Sequence, residues 1–214
     1  MKARKILDND GNNISIEVGL PAMQVPDGFN QTNAAKAWIV TYSGLQFYHL
    51  APTPEMVCIE DIAHALSQTC RWTGHTKFHY SVAQHSIYCS FLVPAEHALA
   101  ALLHDASEAY LGDMNRPLKH YTDAGPAYMK VEANVEKVIF AKFGLSFPMP
   151  EVIKIADTQM LYAERDQLMN AGQIVYEPRK WGYPEDRADI LIHKWTPRRA
   201  KKMFLARFAE LTKE

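Results

Sequence analysis

Nowhere in the sequence do about 18 apolar residues run together, the minimum for a membrane-spanning helix. Charge of either sign is also not in excess. Lys and Arg number 23 against 24 Asp and Glu, for a formal net charge of -1. That excludes a global basic field of the kind that gathers nucleic acid or anionic lipid, so any anionic substrate has to be drawn in by a local site. Cysteine is scarce. Cys58, Cys70 and Cys89 are not spaced like a zinc-finger pair, and an odd number without a secretory leader reads as reduced, buried thiols in a cytosolic protein. Behind Lys2, Arg4 and Lys5, the polar residues 8–13 stand where a secretory signal would carry its apolar core. Internal repeats and low-complexity tracts are absent as well.

What is present is a chain of 214 residues, 48% of them hydrophobic, enough for one domain with a sizeable core. Residues 1–36 are broken by Asp10-Gly11, Pro21, Pro26 and Asp27-Gly28 and form an N-terminal appendage, with a short strand pair around residues 14–18. Residues 38–42 and 45–50, rich in aromatic and β-branched side chains, flank Ser43-Gly44 as a hairpin. Thr53 caps a helix with Pro54 in its first position, running to about Arg71. Residues 73–80 read as a loop. Ser81 and Gln84 form a capping box for a second helix that ends at Pro94. A third, strongly apolar helix covers residues 95–111 and stops at Gly112. After a loop containing Pro117, further helices are expected over residues 126–143, 151–169 and 197–211. The fold class is therefore all-α, a bundle of five or six helices with a small β-hairpin near the N-terminus. It divides into the appendage, a core over 37–172 and a C-terminal extension over 173–214 whose final helix packs on the core.

His104-Asp105 falls in the middle of the most apolar helix, in ALLHDASEAYLGD. Burying an Asp beside a His there needs compensation, by a metal ion or by a hydrogen-bonded structural pair. Glu108, three and four residues on, shares their helix face. His85 sits on the apolar side of the preceding helix, in YSVAQHS, and Asp157 inside the apolar stripe of VIKIADTQMLYAE. Alone, His85 reads as a satisfied core histidine, and Asp157 as the partner of a buried Arg. Together they supply two imidazoles and two carboxylates, a mixed set that suits a divalent transition metal with open positions.

The order His, His-Asp, Asp, each on its own helix, resembles the HD-domain phosphohydrolases. The motifs are Arg71-Trp72, the His of AQHS, LLHDASEAYLGDMNRPLK from 102 and ADTQMLYAE from 156. They are similar to those of bacterial 5′-deoxynucleotidases. The stretch over residues 42–86 is closer still to small phage and bacterial HD proteins. The likeness covers roughly residues 41–169, and the short 19-position spacing between His85 and His104 is its one departure. The resemblance implies that His85, His104, Asp105 and Asp157 are metal ligands, and that Glu108 acts near the metal-bound water or leaving oxygen. It implies that Asp113 is a required acid on the sugar side, that Arg71 contacts phosphate, and that Trp72 packs on the sugar and disfavours a 2′-hydroxyl. A bound metal lowers the pKa of its water, so hydroxide is available near neutral pH. Arg71, Arg116 and Lys119, with Lys77 in the adjacent loop, are candidates for stabilising transition-state charge.

Blander readings stand beside these. Arg71-Trp72 is also a plausible helix end, Arg116 and Lys119 ordinary surface charges, and Asp113 a turn acid. Glu164, seven positions after Asp157 on the same face, either supports a ligand or forms a surface ion pair. The basic last helix reads as a solvated face, so nucleic acid is not an expected partner, and neither is a membrane. The expectation is a cytoplasmic, metal-dependent enzyme of a bacterial cell or phage-infected host, taking a nucleotide as partner. Its reaction converts a deoxynucleoside 5′-monophosphate to deoxynucleoside and phosphate. Alternatives are a dATP-type triphosphohydrolase and a non-catalytic metal-binding module. The ion is Mn, Co, Zn, Fe, Ni or Mg, and aromatics near Tyr176, Trp181 and Tyr183 hint at a homo-oligomer.

Overall fold

The structure is a computed structural model that describes residues 5–7, 13–15, 31–169 and 186–213. Two short antiparallel strands, β1 (Lys5–Leu7) and β2 (Asn13–Ser15), form the N-terminal pair, one step earlier than the sequence suggests. After α1 (Gln31–Ala34), the expected hairpin is present as β3 (Trp38–Val40) and β4 (Gln46–Tyr48), with Ile39 opposite Phe47. Alternation places Phe47 fully in the core while Val40 faces solvent. The hairpin turn is pinned from below: the buried Asp61 accepts from the Ser43 amide at 2.6 Å and from its hydroxyl at 2.8 Å.

The first main helix, α2 (Ile59–Gln68), is shorter at both ends than the sequence suggests. Pro54–Met56 makes only a 3-10 turn, and Thr53 makes no side-chain cap. Val57 then turns extended and buries its side chain. At the far end Thr69 also turns extended, because the chain pairs backwards: the Arg71 amide donates to Tyr80 and the Val82 amide to Thr69. This closes residues 71–80 into a loop held at its neck. Ser81 caps α3 (Val82–Cys89) by accepting from the Gln84 amide, as expected. The Gln84 side chain does not complete the box. It donates to Tyr88 Oη and to the His193 carbonyl.

The expected third helix is broken in two, α4 (Ala98–Leu102) and α5 (Glu108–Leu111). The cause is local. His104 Nδ1 bonds the Ala101 carbonyl at 2.8 Å, the acceptor that a continuing α-helix would present to the Asp105 amide. Residues 103–108 advance instead by i to i+3 bonds, Ala106 to Leu103 and Glu108 to Asp105. His104-Asp105 is therefore in a tight turn, with His104 buried and Asp105 on the cavity wall, not in mid-helix. Beyond Gly112 (φ 79°), a further helix, α6 (Arg116–Tyr121), stands where a loop was expected. Asn115 caps it by accepting from the Leu118 amide, with Pro117 in its first turn. These two changes raise the number of helical segments above the expected five or six.

The rest follows expectation: α7 (Ala124–Lys142), α8 (Glu151–Leu168) and α9 (Pro197–Leu211), the last capped by Thr196. Helix α9 packs on α2, α3 and α4, so Trp195 and Phe204 join Ile62, Leu66, Leu102, Ile139 and Phe140 in one core. A smaller cluster of Tyr80, Cys89, Met160 and Ala163 lies between α3 and α8. Residues 190–195 are neither strand nor helix. No helix among the described residues is long and apolar enough to cross a membrane. Residues 176, 181 and 183, on which an interface was suggested, lie outside the described residues.

Candidate metal centre and its cavity

The four side chains singled out as ligands meet where α3, α8 and the turn after α4 converge. His85, fully buried on α3, directs Nε2 to within 3.1 Å of Asp157 Oδ1 and 3.7 Å of Asp105 Oδ2. His104 Nε2 lies 3.1 Å from the same Asp105 oxygen. Cys89, one turn after His85, places Sγ 3.4 Å from His85 Nε2. The donor atoms of His85, Cys89 and His104 all lie within 4.8 Å of one another, a group that could hold a metal ion.

The hydrogen bonding supports a cation here. Since His104 Nδ1 is committed to a carbonyl, it carries the proton, and Nε2 is left with its lone pair. That nitrogen and Asp105 Oδ2 are both buried without a hydrogen-bond partner. Two bare acceptors 3.1 Å apart repel unless a proton or a cation lies between them. The electrostatics favour positive charge at this spot, which a proton shared by His104 and Asp105 supplies when no ion is bound. Burial opposes charge on His104, yet Asp105 and Asp157 outweigh it and raise its pKa. Burial likewise pushes Asp105 up, but His104, His85 and Arg71 hold it well below the usual carboxylate range. Asp157, with 40% of its side chain exposed, is also held down, by His85, His104 and Arg71 against burial. The donor set of imidazole nitrogens, carboxylates and a neighbouring thiol thus fits a divalent transition ion.

Behind the ligands lies Glu164, wholly buried on α8. Its Oε1 is 2.5 Å from His85 Nδ1. Its Oε2 accepts from Arg71 Nε at 3.3 Å, from Arg71 NH2 at 3.2 Å and from the Trp72 indole N–H at 2.9 Å. Of the two readings left open by the sequence, a surface ion pair is excluded by this burial.

In front of the ligands is a cavity of about 610 Å³, lined by Arg71, Trp72, Asp105, Glu108, Asp113 and Asp157 on one side, and by α6 on the other. Glu108 Oε2 is buried and unpartnered. Burial, then Asp105 and Asp113, raise its pKa well above the ordinary value. Burial raises Asp113 too, against the pull of Arg71. Arg116 and Lys119 reach the cavity wall, Lys119 ion-paired with Glu132 of α7. Lys77 does not reach it. Its backbone amide and its ammonium bond the carbonyls of Leu168 and Gln167 at the end of α8, which carries it away from the site.

Several site residues were not singled out from sequence. Cys89 has a legible signal, four residues after His85 on one helix face, but a cysteine in an apolar helix reads as packing. His120 and Tyr121 line the cavity from α6, a helix not foreseen.

No protein-family model matches the chain. A protein of Escherichia coli (strain K12), named as uncharacterized protein YfdR, is 40% identical over 177 residues, which span 82% of this chain and 96% of that one. A second relative, an uncharacterized protein of Rhodobacter capsulatus, is 34% identical over 175 residues, 76% of this chain and 82% of its own.

Proposed function

The chain belongs to the family of YfdR, and from that starting point we propose that it is a metal-dependent phosphohydrolase of the HD superfamily acting on 2′-deoxynucleotides. Its reaction is hydrolysis of a deoxynucleoside 5′-monophosphate to deoxynucleoside and phosphate. One observation carries this reading. His85, His104, Asp105 and Asp157 converge, two of their buried acceptor atoms lack a hydrogen-bond partner, and the cavity in front also holds a cation, Arg71, and two raised acids, Glu108 and Asp113. Its volume, about 610 Å³, is that of a site for one small ligand.

His85, His104, Asp105 and Asp157 would hold the ion. When bound, the ion supplies an acidified water and polarises a phosphoryl oxygen. Arg71 lies beside Asp105 and Asp157 at 3.8 and 3.9 Å, where it neutralises charge developing on the phosphoryl oxygens. Water oxygen bonds to phosphorus as the bond from phosphorus to the 5′-oxygen breaks. Glu108, whose pKa burial and its neighbouring acids raise, gives a proton to that leaving oxygen and recovers one from the attacking water. Trp72, fixed at its indole N–H by Glu164, lines the cavity where it would pack against the sugar.

A triphosphohydrolase reading is favoured by Arg116 and Lys119 on the cavity wall, where they could meet further phosphates. Against it, Lys119 already has Glu132, and Lys77 is turned away. The deciding experiment incubates the full chain with deoxy- and ribonucleotide mono-, di- and triphosphates and added Mn²⁺, Co²⁺, Zn²⁺ or Mg²⁺, beside Asp105→Ala. Inorganic phosphate from deoxynucleoside monophosphates, lost in the variant, is the expected result. Triphosphate released from dATP would select the second reading. No turnover by a folded, metal-binding protein would overturn both in favour of a non-catalytic module.

A further inference from the structure

Glu164 bridges the two halves of the site from behind, meeting the ligand His85 through one oxygen and the arm Arg71-Trp72 through the other. The arm needs holding. Trp72 and Thr73 both have left-handed backbone, φ 56° and 52°, in a turn over Arg71–Gly74. Such a conformation is unfavourable for a bulky residue and more so for a β-branched one. The bond from the Trp72 indole to Glu164 anchors that turn to α8.

Arg71 also has divided loyalties. Besides Glu164 it lies 3.8 Å from Asp105 and 3.9 Å from Asp157, serving as their counter-charge. A divalent cation among His85, His104, Asp105 and Asp157 takes over that duty. Arg71, still held by Glu164, then has guanidinium N–H groups and positive charge to offer to an anion. We propose that Glu164 is a positioning residue that ties the cation site to the anion-binding arm, so that a divalent cation and a phosphate-class anion bind with positive coupling through it. This rests on the phosphohydrolase reading and extends it. The coupling is reciprocal: each ligand strengthens the other by the same factor.

The test uses isothermal titration of the full chain with Mn²⁺ and with inorganic phosphate, separately and each in the presence of the other, on wild type, Glu164→Gln and Trp72→Phe. Wild type should bind phosphate more tightly when loaded with Mn²⁺, roughly 5- to 150-fold for a typical coupling. Glu164→Gln should weaken Mn²⁺ by roughly 10- to 100-fold, as loss of a carboxylate behind a ligating histidine does, and should shrink the coupling factor. Trp72→Phe removes the indole donor together with part of the ring surface and leaves the bond from Glu164 to His85. It should keep wild-type Mn²⁺ affinity while losing phosphate affinity and coupling. If Glu164→Gln does not fold, Trp72→Phe decides. A merely structural Glu164 would lower thermal stability but leave the coupling factor at its wild-type value in the folded variants, and that result overturns the proposal while sparing the phosphohydrolase reading. A wild type that binds no divalent ion overturns both.

Discussion

His85, His104 and Glu164, which back the inner wall of the cavity, keep 0, 6 and 0% of their surface exposed, whereas Tyr121 on the opposite wall keeps 84%. The two walls are held in place by different means. The inner one is fixed by packing between α3 and α8 and by charge-assisted bonds that meet at Glu164. The outer one, α6, is six residues long with no buried residue, and leans on α7 through the ion pair of Lys119 with Glu132 and a close backbone approach at Gly125. Where chemistry needs charges held in low dielectric, the fold spends its core. Where a ligand enters, it uses a short helix braced from behind.

The comparison is broken most severely from the inside. His104→Ala should abolish divalent-ion binding in a titration and, on the proposed reading, lower turnover by more than about a thousandfold, while circular dichroism still reports a helical protein. The brace of the outer wall comes next. A Cβ at Gly125 would lie 1.9 Å from the Lys119 carbonyl oxygen, which is backbone and cannot step aside. Gly125→Ala should therefore destabilise the chain by about 2 kcal/mol in urea unfolding, and displace α6 without touching the metal ligands.

A smaller effect comes from Glu136, on the helix behind α6. Burial, then Glu132, raise its carboxyl from 4.5 to about 7. The folded state thus holds this proton more tightly than the unfolded chain does. The resulting stabilisation is complete below about pH 4.5 and drains away as the pH rises to about 7. Glu136→Gln cannot ionise, so the metal-free variant should gain about 2 kcal/mol over wild type at pH 8 and almost nothing at about pH 4, by thermal unfolding at the two pH values. The smallest effect on stability belongs to Tyr121→Ala. Its exposure limits the change to about 0.5 kcal/mol. Because Tyr121 lines the mouth of the cavity, steady-state assays should show a few-fold rise in KM with kcat unchanged.

The two walls were also unequally legible in the sequence. A histidine and an aspartate inside apolar helical stripes are anomalies that a periodicity reading finds, and His85 and Asp157 do come together. The break between α4 and α5 left no such mark. Every residue from 98 to 106 suits a helix, and the interruption stems from one side-chain choice, the bond of His104 to the Ala101 carbonyl. Helix α6 was missed although Asn115 and Pro117 are ordinary start signals, because six residues give too short a window for a pattern to repeat. The arm of Arg71-Trp72 was legible through its resemblance to a motif. Its anchor, Glu164, was half legible: the spacing from Asp157 offered support of a ligand or a surface ion pair, and only burial against His85 and Arg71 decides for the first.

The left-handed pair Trp72-Thr73 bears on how this chain can change over generations. Glycine at position 73 would relieve a conformational penalty of roughly 1–3 kcal/mol without touching the indole anchor, so a stabilising replacement lies a single substitution away. A lineage selected for thermal endurance alone would drift towards it. One selected for the placement of Arg71 would not, since the freedom that relaxes the turn also unfastens the arginine beside it.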